Sequence, residues 1–225
     1  TGRLTYDDVI MRTATVICVV VLVAAGSWFG FANGILPSGL MMPVMIGGLI
    51  GGLVLGLVNA FKKEPSPALI LAYAAFQGAF LGVISMVFNF GYPGIVLQAV
   101  LATFVTFGVT LALFKSGKVR VTPKFTKILM IGLISYGIFS VVNLILSFTV
   151  LGGWGLRSGG LGLVIGAVAV ILAAMTLVMD FDQIQRGVQN GVARKYAWAA
   201  AFGIAVSLIW LYLEFLRILA ILRGD

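Results

Sequence analysis

The chain has 225 residues, 61% of them hydrophobic and only 10% charged, with a formal net charge of +8. A soluble globule is about 25% charged, so this composition excludes a water-soluble domain. There is no histidine and a single cysteine, Cys18. This excludes Ser-His and Cys-His nucleophile pairs, His-ligated metal and an intrachain disulfide, and leaves carboxylates as the groups for proton chemistry near neutral pH.

A bilayer-spanning helix needs about 20 mostly apolar residues. Seven stretches qualify: Met11–Phe31, Leu40–Phe61, Ala68–Phe90, Gly94–Phe114, Ile128–Val150, Gly160–Met179 and Ala199–Leu222. They predict an all-α membrane protein, a single seven-helix domain over residues 1–225. The separators read as loops: Asn33-Gly34 with Pro37-Ser38-Gly39, then Lys62 to Pro67, Gly91-Tyr92-Pro93-Gly94, the basic segment Lys115 to Lys127, and Gly152-Gly153-Trp154-Gly155. The first stretch is too long for a signal peptide and lacks a small-residue cleavage site. The sequence begins at Thr1 rather than Met, and a preceding segment is expected.

Lysine and arginine cluster on alternate loops. Twelve lie on the side that holds Arg3, Arg12, Lys62, Lys63, the Lys115–Lys127 segment, Arg186, Arg194 and Lys195, and two, Arg157 and Arg223, on the other. The positive-inside rule then puts the N-terminus in the cytoplasm and the C-terminus outside. The basic charge is membrane topology, and no nucleic-acid partner is expected. Gly47, Gly48, Gly51, Gly52 and Gly56, with Gly78 and Gly82, form small-residue stripes that let helices approach closely. They read first as packing within a monomer and second as a dimer interface.

Three acids lie in or at the edge of the last two stretches: Asp180, Asp182 and Glu214. A carboxylate near the bilayer centre costs ~2.5–3.5 kcal/mol on insertion scales, so such groups are the default functional site. Asp180 and Asp182 point about 200° apart on a helix. Asp182 has Arg186 four residues on and reads as an interfacial ion pair. Glu214 has Arg217 three residues on, which allows an intrahelical pair; the other reading is that it faces an acid across the helix pair. Two carboxyls in one dry site cannot both ionise cheaply and hold one proton between them, so they form a pH switch or accept a hard cation such as Ca²⁺. Asp180 and Glu214 are 34 residues apart. They meet only if the hairpin is centred near residue 197 and the sixth helix runs on towards Gly187. Of the other polar residues in the spans, Gln77 and Asn143 are candidates for lining a pathway, and the rest are expected to bond between helices or to their own backbone.

The run Met179-Asp180-Phe181-Asp182-Gln183-Ile184, and later Trp210-Leu211-Tyr212-Leu213-Glu214-Phe215-Leu216, resembles the closing signature of the transmembrane Bax inhibitor motif family. Pro67-Ala68-Leu69 and Val121-Thr122-Pro123-Lys124-Phe125 further resemble its bacterial branch. The resemblance implies seven helices with the last one central and wrapped by the other six. It implies a pH-sensitive Ca²⁺ leak of the bacterial plasma membrane gated by a carboxylate pair, which falls on Asp180 and Glu214, with Ca²⁺ contacting both. Glu214 stands where the family has Asp, one methylene shorter. Lys62 or Lys63 falls where some relatives have a basic residue at the end of the second helix.

No catalytic residue and no cofactor are expected, and Ca²⁺ enters as the transported ion. The rival reading is a regulatory protein that binds a membrane protease or stress machinery through a tail or the Lys115–Lys127 loop. An intramembrane aspartyl protease is disfavoured, because neither Asp180 nor Glu214 follows a Gly-x-Gly-Asp motif.

Overall fold

The computed structural model describes residues 2–150, 152–153 and 155–224; Thr1, and Trp154 of the glycine-rich turn, lie outside the described residues. Among the described residues the chain forms seven long α-helices and no strand. They are α1 (Tyr6–Ala32), α2 (Met41–Phe61), α3 (Pro67–Gly91), α4 (Ile95–Lys115), α5 (Pro123–Thr149), α6 (Gly159–Asn190) and α7 (Ala197–Gly224). Each lies in a stretch long and apolar enough to cross a membrane.

The apolar runs mark the middle of each helix, and local polar chemistry marks the ends. α1 starts five residues before its apolar run because Thr5 and Asp8 form a capping box: Asp8 N–H donates to Thr5 Oγ1 and Thr5 N–H to Asp8 Oδ2, both at 3.2 Å. α5 also starts five residues early. Thr122 accepts from Phe125 N–H at 3.1 Å, and Pro123 takes the first helical position, where its missing N–H costs nothing. α6 runs eleven residues beyond the predicted Met179 and stops at Asn190, before the turn at Gly191.

The helices fall into two compact units. One comprises Thr1–Pro93 with Gln183–Val206; the other comprises Gly94–Asp182 with Ser207–Asp225. Both α6 and α7 run through the two.

In the first unit α3 packs against α1 and α2. Half of its most apolar stretch is buried, the largest share among the seven; a wrapped last helix stays an expectation of the resemblance. The glycine stripes serve these contacts. A Cβ on Gly48 of α2 would lie 2.8 Å from the Phe76 carbonyl oxygen, and one on Gly78 of α3 would lie 2.7 Å from the Val20 carbonyl oxygen. Backbone meets backbone there, so only glycine fits. Gly48, Gly51, Gly52, Gly78 and Gly82 of the stripes thus pack within the chain, whereas Gly47 faces open space.

The same unit ties the chain start to the α6–α7 connection. Leu4 N–H donates to Val192 O at 2.8 Å and Arg194 N–H to Gly2 O at 2.9 Å. Arg194 pairs with Asp8 at 3.3 Å, and Lys195 with Glu64 at 2.9 Å. The Lys195 ammonium holds the exposed Glu64 carboxyl below the usual carboxylate range.

Gly48→Ala is expected to lower the thermal unfolding midpoint in detergent micelles, at a cost of ~1–3 kcal/mol from overpacking. Gly47→Ala, whose Cβ would meet open space, is the control and is expected not to lower it.

Candidate functional site

Asp180, Asp182 and Glu214 lie in the second unit, and Asp180 and Glu214 are the two expected to pair. Glu214 is more deeply enclosed than Asp180, at 2% exposure, and among the described residues Arg157, Tyr136 and Arg217 donate to it. Arg157 reaches Glu214 Oε2 through Nη2. Tyr136 O–H donates to Oε1 at 2.7 Å, and Arg217 Nη1 approaches Oε2 at 3.4 Å from one helical turn on. Arg157 Nη1 also donates to the Tyr136 hydroxyl at 2.6 Å, closing a three-membered ring of side chains. Its guanidinium lies 5.4 Å from the centre of the Tyr136 ring, which packs in turn at a tilt of 42° against Trp210, 5.5 Å between centres. A carboxylate in a low-dielectric site is tolerable only with this kind of pairing and bonding.

Arg157 arrives there because the α5–α6 connection folds back on α5. The segment Gly155–Arg157 is one 3-10 turn. It opens at Gly155 with φ +63°, where a Cβ would also strike Asn143 Oδ1 at 2.5 Å; both conditions call for glycine. Leu156 N–H then donates to Asn143 Oδ1 at 2.7 Å. Tyr136 and Asn143 are seven residues apart, two turns of one α5 face. That face holds the connection at two points and delivers a buried guanidinium to α7.

Asp180 has a different environment. Ser207 O–H donates to Asp180 Oδ2 at 2.8 Å. Ser207 Oγ lies 2.9 Å from Thr176 Oγ1, which is 2.6 Å from the Ala173 carbonyl oxygen. Among the described residues no charged side chain bonds to Asp180.

The expected Asp180–Glu214 pair is therefore not formed; each acid has its own partners. The reason is register. Asp180 faces Ser207, 27 residues on, which centres the hairpin between Ala193 and Arg194 instead of near residue 197. Glu214 lies seven residues past Ser207, about 10 Å further along α7. The extension of α6 past Gly187 does occur, but the connection after it is too short for the predicted pairing. A Ca²⁺ contact shared by Asp180 and Glu214 is not assembled either, since Glu214 is ringed by donors, two of them cationic. Among the described residues no cluster of three or more metal-ligating acid or thiol side chains occurs.

The remaining sequence-derived candidates separate clearly. Arg217 is the intrahelical partner of Glu214 that its spacing allowed. Asn143 is buried and anchors the α5–α6 turn. Asp182 is half-buried and engaged, and takes part in neither acid's hydrogen bonding. Gln77 belongs to the first unit, buried on α3 against Gly52. Lys62 is exposed at the end of α2. Thr103 and Thr106 bond back to Ala99 O and Ala102 O, as expected of spare polar groups in apolar helices.

Sequence reasoning passed over Arg157, Tyr136 and Ser207. Arg157 carried a signal: it is one of only two basic residues on the sparsely charged side, set among glycines where topology asks for no cation. Tyr136 and Ser207 carried none, as a hydroxyl in an apolar helix is ordinary.

Removing one partner of a buried ion pair leaves the other charge uncompensated. Arg157→Ala is expected to destabilise the protein by ~3–5 kcal/mol, whereas Tyr136→Phe, which removes one hydroxyl, costs ~1–3 kcal/mol. Thermal unfolding in the same detergent checks the order of the two; equal, negligible losses would contradict a structural ion pair.

A family model described as "Bax inhibitor 1 like" matches residues 1–224. Compared with curated proteins, the chain has no significant match. The family match spans all seven helices and both acidic positions, so the chain belongs to the Bax inhibitor 1 like family of membrane proteins.

Proposed function

We propose that this protein is a pH-sensitive cation leak, chiefly for Ca²⁺, in the plasma membrane of a bacterium, with its N-terminus in the cytoplasm. The observation that carries the reading is Asp180: a carboxyl in a spanning helix whose bonding partner is a hydroxyl and not a cation. Inside a bilayer, the charge of such a group is a large energetic quantity, and proton concentration sets it. Charging Asp180 weakens a dry α6–α7 contact and creates a site attractive to a cation.

Glu214 has the complementary task. Its charge is already matched by Arg157 and Arg217, so it holds the α5–α6 turn against α7. The switch is therefore one acid with a separate ion-pair lock, in place of a shared-proton pair. The Lys/Arg bias puts the lock towards the outer face and Asp180 towards the cytoplasmic face. No bond-making chemistry is part of this proposal; Ca²⁺ is cargo, and the lipid bilayer is the one obligatory partner.

Reconstitution in liposomes, with Ca²⁺ flux followed from about pH 6 to about pH 8, tests it. Wild type is expected to leak more as pH rises, because the deprotonated acid opens the contact. Asp180→Asn, permanently neutral, is expected to stay closed across the range. Glu214→Gln weakens the lock and is expected to raise the basal flux while the pH dependence remains. A wild-type pH profile in Asp180→Asn would overturn the assignment of the switch, and absence of flux in wild type would favour the regulatory, protease-binding reading.

A further inference from the structure

Three oxygen–oxygen contacts run in series across α6 and α7. Asp180 Oδ2 meets Ser207 Oγ at 2.8 Å, Ser207 Oγ meets Thr176 Oγ1 at 2.9 Å, and Thr176 Oγ1 meets the Ala173 carbonyl at 2.6 Å. Ser207 is 3% exposed, and Leu177 and Leu211 beside the series are fully buried. The contacts therefore lie in an apolar setting where an unfilled hydrogen bond is costly.

Hydrogen counting gives the series a direction. Each hydroxyl donates one hydrogen, and an ionised carboxylate or a carbonyl donates none. With Asp180 ionised, Ser207 donates to the carboxylate. Thr176 then has one hydrogen for two acceptors, Ser207 Oγ and Ala173 O, so two hydrogens serve three contacts. With Asp180 protonated there are three hydrogens for three contacts. The acid donates to Ser207, Ser207 to Thr176, and Thr176 to Ala173 O. Each hydroxyl keeps its own hydrogen and only turns; the sole covalent change is the O–H bond made at Asp180 by the incoming proton.

We propose that Ser207 and Thr176 form a two-hydroxyl relay that reports the protonation of Asp180 to the α6 backbone at Ala173. The register shows where the report is delivered. Asp180 faces Ser207, so Ala173, seven residues before the one, stands level with Glu214, seven residues after the other. The relay thus spans the same interval of about 10 Å that separates the two acids. Ser207 and Thr176 are then positioning residues for the switch, and their hydroxyls do what a second carboxylate was expected to do.

The groups around Asp180 leave the relay as its polar route. From α7 the acid meets Ser207. From α4, Phe107 and Phe114 bring rings to the neighbouring Phe181. On α6 itself Asp182 points about 200° away, and Arg186 follows six residues on. Glu214, Arg157, Arg217 and Tyr136 bond to one another, one relay length away.

The flux arm of the test rests on the leak reading above; the spectroscopic arm does not. Infrared difference spectra of the protein in lipid vesicles, acid minus neutral, are expected to show a carboxylic C=O band that Asp180→Asn abolishes. Ser207→Ala is expected to move that band to higher frequency, because the acid loses its acceptor. It is also expected to move the titration midpoint of the band to higher pH by about one unit, since the charge-assisted bond lost from the ionised form is the stronger one. Ser207→Thr restores both properties, and Thr176→Val gives a smaller shift of the same sign. In liposomes the flux midpoint moves with the band.

A wild-type band and midpoint in Ser207→Ala would overturn the relay, as would the lack of any Asp180 band in wild type. A band that titrates and responds to Ser207→Ala while wild-type flux ignores pH would leave the relay standing and remove the leak.

Discussion

The second unit depends on the neutralisation of one carboxylate. Glu214 sits on an apolar spanning helix at 2% exposure, where an uncompensated charge is not sustainable. Arg217 on the same helix approaches at 3.4 Å, and Arg157 has to be brought from another segment. That requirement explains the α5–α6 connection: a glycine at positive φ, a 3-10 turn, an asparagine accepting a backbone N–H, and a tyrosine between guanidinium and carboxylate. Removing the acid leaves these features without a common purpose.

A buried ion pair seldom adds net stability, because desolvation takes back much of the attraction. Its value lies in specificity. Here it sets which part of the connection meets which turn of α7, and so the rotation of α7. Ser207 and Glu214 are seven residues apart and share one face of the helix. Once Glu214 is held by the turn, Ser207 is aimed at Asp180. The lock and the hydroxyl partner of the second acid are thus consequences of one rotational setting.

Much of the fold was legible in the residues. The seven apolar runs correspond to the seven helices, since twenty apolar residues in series have few other fates. The glycine stripes of α2 and α3 mark close packing because a missing Cβ has one mechanical use in a helix. The ends were less legible. Hydropathy is blind to Thr5, Asp8 and Thr122, which start helices by hydrogen bonding, and to Gly191, whose positive φ follows the end of α6. The site was partly legible: Asp180, Glu214, Arg217 and Asn143 stand out as polar groups in apolar runs, whereas Tyr136, Ser207 and Thr176 look like ordinary hydroxyls until they are seen in contact.

By itself the sequence determined the class, the number of helices, the family and the presence of two costly acids, because these follow from composition and from spacing along one chain. Which groups the acids face was decided only by tertiary structure. A helix rises about 1.5 Å per residue, so a difference of a few residues in where α6 ends and α7 begins moves every facing pair. That difference is set at Gly191 and Val192, whose N–H groups donate to Val188 O and Gly187 O; Asn190-Gly191 marks a turn in the sequence but not its register. It gave Asp180 a serine and left Glu214 to two arginines.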